Sequence, residues 1–177
     1  GQGIAGTVLA LRLQEAGVSF EIMDDGHKSS SSIAAAGLFN PWILKRRKLA
    51  WAADEFLTEA LPFYRDLDSA IAQDIFHPIG IWRRIHDAGE YNDWQSLKSQ
   101  EPHRHYLGDI EATSNLHSSI DAGLGWQEIR NAGYVDVTAF LAQTRNYFQE
   151  AGNLRQERFE EKEVEVKKEL SYRSETY

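Results

Sequence analysis

Gly1-Gln2-Gly3-Ile4-Ala5-Gly6 matches the spacing G-x-G-x-x-G, and the residues that follow decide what the match means. In such a turn the first glycine lets the chain leave a strand tightly. The second admits a pyrophosphate against backbone that carries no Cβ, and the third lets the ensuing helix pack closely on a sheet. The phosphates then face a helix N-terminus, where unpaired N–H groups and the helix dipole favour anions. Small-residue turns are common, so the hexapeptide alone is weak.

Its setting strengthens it. Gly3–Ala16 is predicted to be a helix, with apolar mass from Val8, Leu9, Leu11 and Leu13, small packing positions at Ala5 and Ala10, and Gly17 as the C-terminal cap. Val18–Met23 alternates Val18, Phe20 and Ile22 as a strand does, and Asp24-Asp25-Gly26 follows. Asp24 stands eighteen residues beyond Gly6, close to the ~20 at which a carboxylate accepts the hydroxyls of a ribose. The same charge repels a 2′-phosphate. Turn, helix, strand and acid together read as a dinucleotide site formed by Gly1, Gly3, Ile4, Ala5, Gly6 and Asp24, with the choice between nicotinamide and flavin left open.

Composition narrows the class. The chain has 177 residues, 42% of them hydrophobic and 11% aromatic, sufficient for one core or for one domain and part of another. A net charge of −8 opposes nucleic-acid binding. The basic run Lys45-Arg46-Arg47-Lys48 reads as a solvated approach to a helix. With no cysteine, the sequence holds no disulfide, thiolate metal site or cysteine nucleophile, and a cytoplasmic setting is expected. No apolar run approaches the ~20 residues of a membrane helix, and no signal peptide is recognisable. Because a dinucleotide fold begins with a strand ahead of its glycine turn, residues before Gly1 are expected. The segment Glu169–Tyr177 reads as an equally abrupt end.

Farther along, His27–Ser32 is a polar loop and Ile33–Leu38 a small apolar stretch closed by Asn40-Pro41. A long helix is predicted over Leu49–Ile71, bent or split at Pro62. Strands are predicted at Ile75–His77, Ile79–Ile85, Leu124–Ile129, Tyr134–Val137, Leu154–Phe159 and Val164–Lys168, and helices at Asp87–Gln100 and Thr138–Ala151. Two interleaved units result: residues 1–40 and 133–177 form the nucleotide-binding part, and 41–132 a separate lobe. The cleft that such an insertion creates suits a ligand.

Several residues invite chemistry and also have plainer readings. Ser29–Ser32 is a cofactor contact or a linker. Arg83, on a strand face with Ile81 and Ile85, either meets a substrate carboxylate or pairs at a sheet edge. His103 and His105 lack a third ligand at metal spacing, which favours a surface loop. His27, His77, His86 and His117 are scattered. Trp42, Trp51 and Phe56 are expected in the core.

The segment Ser31-Ser32-Ile33-Ala34-Ala35-Ala36-Gly37-Leu38-Phe39-Asn40-Pro41 resembles the loop that follows the ribose acid in the amine and amino-acid oxidoreductases that include D-amino-acid oxidase, glycine oxidase and sarcosine oxidase. The resemblance implies a Rossmann-like FAD-binding domain with an interleaved α+β substrate lobe, an α/β fold incomplete at both ends here. It places Asp24 on the ribose with Asp25 as a supplement, since Asp stands where Glu is commoner. It puts Ser31 and Ser32 near the phosphates, Gly37 and Leu38 beside the isoalloxazine, and Phe159 near the adenine. Gly80–Ile85 resembles the strand that opens the substrate lobe, and Gly133–Val137 the return to the FAD domain. The later half of the family, with its last flavin contact and its substrate-binding Arg and Tyr, has no counterpart in this sequence, so no catalytic residue is assigned.

The implied function is oxidation of a small-molecule amine or amino acid by hydride transfer to non-covalently bound FAD. A nicotinamide-dependent dehydrogenase and a nucleotide-binding module without turnover are the alternatives.

Overall fold

A computed structural model describes residues 1–26, 30–71, 74–111, 123–166, 170–173 and 175–176. His27, Ser29, His117, Lys168, Glu169 and Tyr177, named in the sequence-based expectations, lie outside them. The chain divides into two compact units, one formed by Gly1–Ala35 and Val137–Tyr177, the other by Ala36–Asp136.

Following the chain, α1 spans Ile4–Glu15 and ends in Gly17 at φ +69°, where the Gly17 and Val18 N–H groups close on Gln14 and Leu13 carbonyls. Only Thr7 and Ala10 of α1 are buried. Leu9, expected to add apolar mass to the core, is exposed. The strand expected over Val18–Met23 is reduced to β1, Ile22–Met23, because only these residues find a strand partner. Helix α2 is one turn, Ser31–Ala34, capped by the Ser30 hydroxyl, which accepts the Ile33 N–H at 3.2 Å.

The second unit begins with β2, Leu38–Phe39, then the hairpin β3, Trp42–Ile43, and β4, Lys48–Leu49. The basic run forms the connection of that hairpin, with Arg47 left-handed at φ +48°, and is not a helix approach. Helix α3 therefore starts late, at Ala53, and continues to Ile71 with Pro62 inside it. Of the bend or split expected at Pro62, the split does not occur: the helix runs through it.

Next come β5 (Phe76–Pro78), β6 (Ile81–Ile85), α4 (Ala88–Lys98), β7 (Leu107–Glu111), β8 (Gly125–Ile129) and β9 (Gly133–Val135). Asp87 caps α4 by accepting the Glu90 N–H at 2.8 Å. Strands β6, β8 and β7 make one antiparallel sheet in that order, and β2, β9 and β5 another. Strand β7 has no forecast in the sequence reading. Trp42, Ile85, Trp94, Tyr106, Leu107 and Ile129 form the core of this unit. Trp51 and Phe56 do not join it: they are 85% and 57% exposed and meet edge-on at 5.6 Å. Of the three, only Trp42 is buried; Ala52, between Trp51 and α3, is left-handed at φ +51°.

The chain returns to the first unit through α5, Val137–Glu150, and β10, Leu154–Arg155, which pairs parallel to β1 with Ile22 opposite Leu154. Leu154–Phe159 was expected to be strand throughout, but pairing stops with Arg155 because its partner strand ends at Met23. A small antiparallel sheet of β11 (Val164–Val166), β12 (Leu170–Tyr172) and β13 (Glu175–Thr176) follows. Ala10, Ile22 and Phe148 bring α1, β1 and α5 together in this unit's core, and Phe20 meets Phe148 edge-on at 5.8 Å. The unit boundary lies a few residues from the one read in the sequence, since Leu38 and Phe39 pair with Tyr134 and Gly133 inside the second unit.

Candidate cofactor site

The glycine turn opens onto a cavity of about 610 Å³ within the first unit. Gly1, Gly3, Ile4, Ala5, Gly6, Asp24 and Ser32, all singled out from sequence, line it. Gln2, Gly26, Ser30 and Ile33 line it as well, as do Thr138, Leu141, Ala142 and Arg145 of α5. The cavity therefore takes its walls from both segments of the unit.

The spacing of the glycines has local causes. A Cβ on Gly3 would come 2.9 Å from Ser32 Oγ, and a Cβ on Gly6 would overlap the Gly1 carbonyl oxygen. Gly3 is the N-cap of α1 and has no side chain to satisfy the first turn. Ser32 does so instead, its Oγ accepting the Ile4 N–H at 3.1 Å. Among the described residues that hydroxyl's own hydrogen meets no acceptor. The N–H groups of Gly3, Ala5 and Gly6 have no acceptor among the described residues, and no acidic side chain lies in the first turn. An anion is favoured there on both counts.

Asp24 lies at the end of β1 with its side chain 16% exposed. Its Oδ2 accepts the Gln2 N–H at 2.8 Å, and its Oδ1 accepts the Gly26 N–H at 2.9 Å and Arg145 Nη1 at 2.8 Å. Burial works against ionisation, but the Gln2, Arg145 and Gly26 donors outweigh it and hold the carboxyl below its ordinary value. The group is a fixed carboxylate at neutral pH.

Gln2, the first variable position of the motif, is buried. Its Nε2 donates to the Leu141 carbonyl at 3.0 Å, and its Oε1 accepts Arg145 Nη1 at 2.8 Å. Sequence reasoning passed over Gln2 and Arg145. The polar Arg145 on the border of an otherwise apolar stripe in α5 is the one signal that pointed to the second, and its partner is 121 residues away.

Other candidates fall elsewhere. Asp25 is exposed and adds no wall to the cavity. Ser31 is exposed on the first residue of α2, and the positions on either side of it face the cavity. Phe159 stacks on Tyr172 at 5.1 Å and is not a lining residue. Gly37, at φ +67°, and Leu38 belong to the second unit. There Arg83 pairs with Glu90 at 2.9 Å on the edge strand β6, which leaves its guanidinium engaged by the protein itself. His105 pairs with Glu101 and His103 packs against Trp42. Among the described residues no group of three or more His, Cys, Asp or Glu side chains could hold a metal ion, and no helix is long and apolar enough to cross a membrane.

No solved structure matches the chain. The family model of the FAD dependent oxidoreductases, DAO, matches residues 1–169, a span that takes in the glycine turn, Asp24 and α5. The chain belongs to that FAD-dependent oxidoreductase family.

Proposed function

We propose that the first unit is a Rossmann-like FAD-binding fold, that its cavity receives the cofactor non-covalently, and that the enzyme oxidises an amine or amino acid. FAD dependence and oxidoreductase activity come with the family. They displace both the nicotinamide-dependent dehydrogenase and the module without turnover. One observation carries the placement: bare Gly3 backbone and the ionised Asp24 share the wall of a single cavity, as a pyrophosphate and its neighbouring ribose require.

The residues present suit the group. Gly3, Ala5 and Gly6 offer N–H donors to the pyrophosphate, and Ser32 adds its hydroxyl hydrogen while keeping the Ile4 N–H satisfied. Asp24 accepts from the ribose. When bound, the flavin supplies the acceptor for a hydride from the substrate C–H beside nitrogen. Gly37 and Leu38 are assigned to its ring by resemblance, and the second unit to the substrate lobe.

The test is optical. The purified protein is expected to be yellow, and its flavin absorption to bleach anaerobically on addition of a D-amino acid or an N-methyl amino acid. A protein that takes up no FAD refutes the placement. Bound flavin that no amine or amino acid bleaches refutes the substrate class.

A further inference from the structure

The arrangement around Asp24 carries a sharper reading, which rests on the FAD assignment of the cavity. Oδ1 already accepts two hydrogen bonds, from Gly26 and Arg145, and Oδ2 accepts one, from Gln2. A carboxylate offers about four acceptor positions. With the described residues counted, one position is left, on Oδ2. A ribose presents two adjacent hydroxyls, so Asp24 alone has room for only one of them.

Arg145 stands beside it with donors in hand. Its Nη1 serves Asp24 and Gln2, while Nη2 and Nε meet no acceptor among the described residues. The side chain lines the same cavity and is 24% exposed. Nη2 lies 3.6 Å from the position a Cβ would take on Gly26, and Gln156 Nε2 lies 3.7 Å from the same point. Gln2 fixes the guanidinium from behind: with Nε2 bound to Leu141, its amide oxygen is turned to Arg145. A planar fork held at one nitrogen presents its remaining donors in a defined direction.

We propose that Arg145 and Asp24 read the adenosine ribose as a pair. One hydroxyl donates to Asp24 Oδ2, and the oxygen of the other accepts from the guanidinium, which Gln2 holds in place. The ribose contact is thus divided between an acid from the first segment of the unit and a base from the second.

The test is displacement of FAD from the holoenzyme by ADP, 2′-deoxy-ADP and 3′-deoxy-ADP, followed by the fluorescence of released flavin and corrected for each variant's own FAD affinity. Wild-type protein is expected to bind ADP more tightly than either deoxy analogue. Arg145→Gln is expected to weaken ADP about tenfold, the loss of one charge-assisted hydrogen bond. It should bind one of the two deoxy analogues as tightly as wild type does, since the interaction absent from that analogue is the one the substitution removes. Arg145→Lys keeps a cation against Asp24 but lacks the second amino group, so it should lose the same discrimination with the fold retained. It carries the test if Arg145→Gln does not fold. Equal weakening of all three nucleotides, or of none, overturns the proposal. A wild-type protein that binds neither FAD nor ADP overturns the assignment of the cavity itself.

Discussion

Replacing Gly6 by alanine sets two opposed effects against each other, and the structure decides the sign. Gly6 lies in the first turns of α1. On helix propensity alone the substitution stabilises by about 1 kcal/mol. The added Cβ, however, would overlap the Gly1 carbonyl oxygen and lie 3.3 Å from its carbon. Both atoms are backbone, so neither a rotamer change nor a flexible tip relieves the clash. Either α1 or the turn must shift, and overpacking that moves backbone costs about 1–3 kcal/mol. The clash wins. The expected result is a lower melting temperature and, because the shift carries the Gly3, Ala5 and Gly6 N–H groups with it, FAD binding weakened at least about tenfold, roughly 1.4 kcal/mol. Titration of FAD by flavin fluorescence and a thermal melt measure the two. Gly17→Ala is the companion variant. It has open space within 4 Å but φ +69°, so it should lose about 1–2 kcal/mol of stability with FAD affinity unchanged. A Gly6→Ala protein that melts at or above wild type and binds FAD equally well would refute the reasoning.

Asp24→Asn should weaken FAD by about tenfold or more, through loss of the ribose acceptor and of the partner of Arg145, as measured by the same titration. The depressed carboxyl also gives a pH dependence. Its contribution to stability is complete above the ordinary value of 3.8 and is lost as pH falls below that through the lower folded value, so wild type should lose more stability than Asp24→Asn in acid melts. Tyr106 donates to Asp54, and burial, with Asp54 beside it, raises the phenol above its ordinary 10.0. Stability should fall as pH rises past about 10, where the unfolded chain ionises first, and Tyr106→Phe should flatten that fall in alkaline melts. Arg83→Ala breaks the pair with Glu90 and should lower the melting temperature by a few degrees while leaving FAD affinity untouched.

What the sequence disclosed divides by range of interaction. The glycine turn, α1 with its Gly17 stop, the start of α4 near Asp87 and the stripe of α5 depend on neighbours a few residues away, and all were readable. The strands of the first unit were overdrawn, because alternation shows which residues can pair and says nothing of how long a partner is present. Only Ile22–Met23 faces Leu154–Arg155. Trp51 and Phe56 looked internal by their chemistry, but both are exposed and meet each other instead of the core, which no local pattern announces. In the candidate site, Asp24 followed from its distance to the turn. Gln2 and Arg145 did not, since each is defined by contacts across more than a hundred residues.

The division of the first unit has a consequence for how the protein is made. The phosphate turn is translated before Ala36–Asp136, but Leu141 and Arg145, which brace Gln2 and Asp24, are translated only after the whole of that stretch. At about 5–20 residues per second, that interval is roughly 5–20 seconds. During it the nascent glycine segment lacks its buttress and has nothing with which to retain a nucleotide. Cofactor capture therefore waits for Val137–Arg145, after the inserted unit has had its own chance to fold.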